Sequence, residues 1–233
     1  MRISGVIFDM DGLMLDTERI AQLSIDYAQE RLGLDLRSGL PDMMGMNAVQ
    51  IRQVQMKRFG PDFDYEGVRA VRAAFRQRYI QEYGIPVKPG LQELIAQLRQ
   101  RGLRWAMATS SAAQTAEDNL RRTGLLEDFP LRVCGDMVER SKPDPQIFYA
   151  AAELLHTRPQ ETLVLEDSYN GIRAAAAGGF LPCMVPDLRE PDEEIRSLLL
   201  RRFDTLFDVI PFLEEMDRPA ASAEGPRECQ TGR

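Results

Sequence analysis

Short apolar runs alternate along the chain with longer stretches in which apolar residues recur every three or four positions. Ile3 to Phe8 is an apolar, β-branched run closed by an acidic turn, the pattern of a buried strand. Similar runs recur at Leu103–Ala108, Leu131–Cys134, Thr162–Leu165 and Leu181–Val185. Between them the spacing predicts helices over Leu91–Arg101, Ala113–Arg122, Pro145–Leu155 and Tyr169–Ala177, most of them stopped by a following glycine. Strand and helix in alternation define an α/β fold, a Rossmann-like parallel sheet whose ligands bind at the carboxyl ends of the strands.

One segment breaks the rhythm. Some seventy residues lie between the first strand and the helix at Leu91, and none of them reads as a strand. Thr17–Leu32, Asn47–Phe59 and Tyr65–Tyr83 each show helical periodicity, with Asp16 or Thr17 available as the first N-cap. A single crossover does not need that much chain. The expected organisation is therefore a core of residues 1–15 and 89–216 and an inserted small all-helical cap domain of residues 16–88. The hinges fall near Leu15 and at Val87-Lys88-Pro89-Gly90. Residues 217–233 are almost free of apolar side chains and read as a flexible tail.

Composition narrows the partners. The 233 residues are 44% hydrophobic and 28% charged, so a packed core is expected and disorder is not. With 29 basic against 36 acidic residues the net charge is −7, which supplies no field for a polyanion, so nucleic acid is not an expected partner. The first apolar run is too short for a signal peptide, and no stretch approaches the roughly 20 apolar residues of a membrane span. A cytoplasmic monomer is the expectation. Cys134, Cys183 and Cys229 have neither zinc spacing nor a disulfide framework; the first two sit in strand-like runs and are expected to be buried thiols.

The chemistry gathers at the strand ends. Asp9-Met10-Asp11-Gly12 follows the first strand directly. Two carboxylates facing one crevice repel unless a cation lies between them or one holds a proton. A hard cation with oxygen ligands, Mg²⁺ above all, answers that need, and Gly12 permits the sharp turn. Taken alone, such a turn is usually just a helix cap or a solvated loop. The fourth strand, however, ends at Glu166-Asp167, adding two acids to the same sheet edge. The second ends at Thr109-Ser110-Ser111, whose hydroxyls and backbone N–H groups suit a phosphate oxygen, although a plain N-cap looks the same. Lys142, in Ser141-Lys142-Pro143-Asp144-Pro145, follows the third. Together these groups specify phosphoryl transfer: one carboxylate attacks phosphorus, a second moves the proton, and a cation with the lysine neutralises the phosphoryl group. The partner is then a small phosphorylated metabolite.

At these residues the chain resembles the haloacid-dehalogenase-like (HAD) phosphohydrolases: Asp-x-Asp-Gly first, then Ser/Thr, Lys-Pro and paired acids. The runs Asp9–Glu18 and Leu165–Ala174 are similar to the branch that holds β-phosphoglucomutase and small sugar-phosphate phosphatases. The resemblance implies Asp9 as nucleophile and Mg²⁺ ligand, and Asp11 as general acid/base whose backbone carbonyl also reaches the metal. It implies Thr109 and Lys142 on the phosphoryl group, helped by Gly12 and the Ser110 backbone, and Glu166 with Asp167 completing the metal site.

Two departures favour a phosphatase over a mutase. The first cap helix, which carries a histidine in β-phosphoglucomutase, reads Thr17-Glu18-Arg19-Ile20-Ala21-Gln22, and the chain's one histidine is His156, on another helix. No basic residue follows Ser111. A phospho-acceptor signalling domain is the competing class, but such domains lack a helical insertion. A dehalogenase would leave the acids without a metal to hold. Glu18, Asn47, Arg69, Arg72 and Arg76 are candidate substrate readers on the cap, and Met43-Met44-Gly45-Met46 a candidate cap–core seam.

Overall fold

The computed structural model describes residues 2–38 and 48–217. Asn47, the Met43–Met46 run, Cys229 and all of the tail but Asp217 lie outside them.

Six parallel strands form one sheet in the order β3-β2-β1-β4-β5-β6. They are β1 (Gly5–Phe8), β2 (Arg104–Ala108), β3 (Arg132–Val133), β4 (Thr162–Glu166), β5 (Leu181–Met184) and β6 (Arg201–Arg202). The Rossmann-like core expected from the alternation is present. β1 lies in the middle, with Phe8 level with Met107 of β2 on one side and with Leu165 of β4 on the other. This register brings the ends of β1, β2 and β4 together at the point where the strand order reverses, the usual place for a ligand crevice. The pattern along the chain does not announce β6, since two exposed arginines at a sheet edge carry no apolar signal.

Alternation along the strands builds two cores. Val6, Phe8, Met107, Leu163 and Leu165 face one side with Leu91, Leu94, Leu98 and Phe129, whereas Ile7, Ala106, Ala108 and Val164 face the other with Ile147, Phe148 and Leu155. Both faces are covered by helices, so the central strand β1 is apolar and buried along its whole length instead of alternating with polar residues. These are α4 (Leu91–Gln100), α5 (Ala113–Thr123), α6 (Gln146–Leu155), α7 (Tyr169–Ala177), α8 (Glu193–Leu198) and α9 (Val209–Asp217), numbered after the three helices that come before them in the chain.

Those three are the insertion: α1 (Thr17–Leu32), α2 (Ala48–Phe59) and α3 (Tyr65–Tyr83). α1 packs along α3 around a small core of Ile25, Ala28, Leu36 and Val68. Asp16 holds the N-cap position of α1 but makes no capping hydrogen bond. Its side chain faces Lys88 Nζ at 3.9 Å instead. The insertion's two connections run side by side: Asp16 N donates to Pro86 O at 2.9 Å, and Lys88 N to Met14 O at 2.9 Å. Cys134 and Cys183 are buried as expected, and burial raises both thiols, Cys183 to about 12. Neither is a reactive thiolate at neutral pH. Among the described residues no helix is long and apolar enough to cross a membrane.

Candidate active site

A cavity of about 740 Å³ opens at the carboxyl edge of the sheet. Asp9, Asp11, Thr109, Ser110, Lys142 and Asp167 all line it, together with Thr17 and Glu18 from α1 and Arg76 from α3. Five loops of the core and one face of the insertion thus meet around one space.

The β1 end is placed by the sheet itself, because Asp9 N continues the ladder to Leu165 O at 3.0 Å. The chain then turns back, with Met14 N and Leu15 N both donating to Met10 O at 3.0 Å. Gly12 makes this possible. Its φ is +85°, which side-chain-bearing residues resist, and a Cβ there would collide with the Asp167 carboxylate.

Lys142 organises the floor. Its ammonium donates to Asp9 Oδ1 at 2.6 Å, to Glu166 Oε1 at 2.7 Å and to Ala108 O at 3.1 Å. Only 5% of its side chain is exposed. Burial by itself would lower the lysine's pKa, but the charges of Asp9 and Glu166 outweigh burial and raise it, so the group stays an ammonium. Asp9 is pushed up to about 8, first by burial, then by Glu166 and Asp11 acting against the attraction of Lys142. Asp167 is raised well above the usual carboxylate range by burial, then by Glu166 and Asp9.

Glu166 is fully buried and does not line the cavity. Its second oxygen accepts from Asp167 N at 3.0 Å, Ser168 N at 2.9 Å and Ser168 Oγ at 2.8 Å, which ties it to the start of α7. Gly171, one turn into that helix, leaves room for it, for a Cβ there would overlap the Glu166 carboxylate. Gly171→Ala is therefore expected to destabilise by about 1–3 kcal/mol through overpacking. Alanine in a helix is normally better than glycine by up to about 1 kcal/mol. A denaturant midpoint that rose would show that Glu166 is not packed where described.

Asp11 is gripped by hydroxyls. Oδ2 accepts from Ser111 Oγ at 2.8 Å and Thr109 Oγ1 at 3.2 Å, and Oδ1 from Thr17 Oγ1 at 2.7 Å. Thr109 is wholly buried, while Ser110 is exposed on the cavity wall. Thr17 was not among the expected site residues, and Ser111, whose hydroxyl was expected to suit a phosphate oxygen, bonds Asp11 instead. Their signal is proximity: Ser111 stands two positions beyond Thr109, and Thr17 begins the first helix of the insertion.

Of the candidate readers, Glu18 and Arg76 reach the cavity. Arg72 instead donates to Ser24 Oγ at 3.3 Å, and Arg69 pairs with Glu66 at 3.2 Å. His156 is exposed at the end of α6, away from the cavity. Asp187, just past β5, was also missed. Its Oδ2 is buried without a hydrogen-bond partner among the described residues. The rule that located Asp9 and Glu166, acids at strand ends, would have found it.

Asp9, Glu166 and Asp167 can each place an oxygen within 4.8 Å of the others. Among the described residues the ammonium paired with these carboxylates is that of Lys142, which meets Asp9 and Glu166. The excess of negative charge and the all-oxygen donor set fit a hard divalent cation, and the orphaned oxygen of Asp187 beside them is a further unmet acceptor.

The fold is an α/β one that gathers carboxylates and one lysine at the switch point of a parallel sheet. Within that class the chain belongs to the haloacid dehalogenase-like hydrolases, whose family model matches residues 3–179. A phosphorylated carbohydrates phosphatase of Thermotoga maritima is 30% identical over 190 residues, covering 76% of this chain and 82% of that protein. An N-acetylmuramic acid 6-phosphate phosphatase of Pseudomonas putida is 31% identical over 186 residues, covering 77% and 81%. A solved HAD family hydrolase of Deinococcus radiodurans, with bound phosphate and sodium, superposes with a TM-score of 0.74 at 25% identity, covering 92% of this chain and 96% of the other.

Proposed function

We propose that the chain is a Mg²⁺-dependent phosphatase of small phosphomonoesters, of the sugar-phosphate kind, working through an aspartyl-phosphate on Asp9. The observation that carries this reading is the pairing of two carboxylates on one cavity in unlike settings. Asp9 is clasped by the Lys142 ammonium, and Asp11 is held by three hydroxyls. Two acids so differently surrounded suit two roles. The names of the Thermotoga and Pseudomonas relatives support the substrate class.

In the first step a carboxylate oxygen of Asp9 bonds to phosphorus as the ester oxygen leaves, and Asp11 gives that oxygen its proton. In the second, Asp11 takes a proton from water, the water oxygen bonds to phosphorus, and Asp9 is released as carboxylate with inorganic phosphate. Lys142, with the Thr109 and Ser110 region, holds the phosphoryl oxygens. Asp9, Glu166, Asp167 and the backbone carbonyl of Asp11 would hold Mg²⁺, which when bound offsets charge on the phosphoryl group. Residues 16–88 act as a cap: Thr17 couples α1 to Asp11, and Glu18 and Arg76 face the leaving group. No imidazole lies near Asp11 in sequence or among the cavity residues, which favours water over a second sugar hydroxyl as the acceptor.

The test is phosphate release from a panel of sugar phosphates and nucleoside monophosphates, with Mg²⁺ and with a chelator. Release with Mg²⁺, lost on chelation, is expected. Isomerised sugar phosphate without free phosphate would replace the phosphatase by a mutase, and equal release under both conditions would remove the metal.

A further inference from the structure

Asp187 stands at the same carboxyl edge as Asp9 and Asp167, and its side chain is 9% exposed. Its two oxygens face different parts of the molecule. Oδ1 accepts from Lys88 Nζ at 2.5 Å, and Lys88 belongs to the second connection of the insertion. Oδ2 is buried, has no donor among the described residues, and lies against Gly12. A Cβ placed on Gly12 would sit 3.3 Å from Asp187 Oδ2 and 2.8 Å from Asp167 Cγ, so the two carboxylates crowd one face of the turn that carries Asp9 and Asp11. Buried acceptors are almost always satisfied, and an unmet one in a native site calls for a water or an ion.

Among the described residues the Lys88 ammonium pairs with two acids. It is 2.5 Å from Asp187 and 3.9 Å from Asp16, so one ammonium links both connections of the insertion to the loop after β5. The charge of Asp187 is felt further in, because it adds to the burial and nearby acids that raise Asp167 and Glu18.

We infer that Asp187 is a positioning residue for the cation: its Oδ2 accepts a hydrogen bond from the water shell of the ion held by Asp9, Glu166 and Asp167, while Lys88 competes for the same carboxylate from the hinge. The inference rests on the metal-dependent reading above. It makes the cation and the hinge share one side chain, so whatever loosens Lys88 strengthens the hold of Asp187 on the ion. The two halves of this ion pair therefore act on cation affinity with opposite signs.

The experiment is calorimetric titration of the full chain with MgCl₂, without substrate. Asp187→Asn is expected to weaken Mg²⁺ binding about tenfold, as the loss of an outer-shell acceptor does. Lys88→Met is expected to tighten it about threefold. The double variant, which buries no lone charge, should bind like Asp187→Asn, and it carries the test if either single variant fails to fold. Equal weakening by both single variants would mean that the pair only shapes the hinge, and would overturn the inference. So would an Asp187→Asn affinity within about twofold of the wild type. A wild type that takes up no Mg²⁺ at millimolar concentration would overturn the metal reading and this inference with it. The two failures are distinguishable, because in the first the wild type still binds the ion.

Discussion

Asp9→Asn is expected to leave a folded protein whose phosphate release falls by at least about 10⁴-fold, the scale on which removal of a covalent nucleophile acts. An amide cannot form the acyl phosphate proposed for Asp9. It can still accept from Lys142 at the position of Asp9 Oδ1, so the floor of the site keeps its shape. Its neutrality has a second consequence. In the metal-free protein Asp9 is a buried acid crowded by Glu166 and Asp11, which holds its carboxyl near 8. Asparagine removes that crowding, and the melting temperature in chelator should be no lower than that of the wild type. Release of phosphate and thermal melting, measured on the same preparation, check both halves. A variant that kept a tenth of the activity would show that another group attacks phosphorus.

Lys142→Met is expected to cost about 3–5 kcal/mol of stability and to abolish turnover, since it strands two buried carboxylates without their cation. The partners are 9% and 0% exposed, so water does little to screen them. Lys142→Arg should not restore the site. A planar guanidinium has no compact way to meet two carboxylate oxygens at 2.6 and 2.7 Å and a backbone carbonyl at 3.1 Å together. Urea denaturation reads the loss, and Mg²⁺ should recover part of it by occupying the same acids. A loss of unfolding free energy below about 0.5 kcal/mol, the scale of an ordinary surface change, would mean that Asp9 and Glu166 do not carry the charges assigned to them.

These two variants act on residues that were legible in the chain before any fold was known. Asp9 ends an apolar run, Lys142 follows another, and Glu166-Asp167 closes a third; a local change from buried strand to polar turn marks each of them. Five of the six strands and all seven expected helices were readable for the same reason, because burial on one or both faces is written into the order of residues. Where an element carries no such contrast the reading stops. The two-residue β6 is made of exposed arginines. α9 has Pro211 in its first turn, which proline tolerates but which reads as a break.

The class of fold, and the acids, hydroxyls and lysine that follow the apolar runs, were legible in the order of residues alone. Which of them touch follows from the packing of the folded chain. Ser111 reaches Asp11 across 100 residues, Lys88 reaches Asp187 across 99, and Lys142 chooses Asp9 and Glu166 as partners. Each of these contacts exists because β1 lies between β2 and β4 with β5 next in line. Likewise the sequence offered Asp16 as a helix cap, and packing turned it towards Lys88. Local patterns report what one residue's neighbours in the chain require. Strand order, and with it the sharing of one cation among several acids, is set by how both faces of the sheet are covered at once, and no short window of sequence contains that.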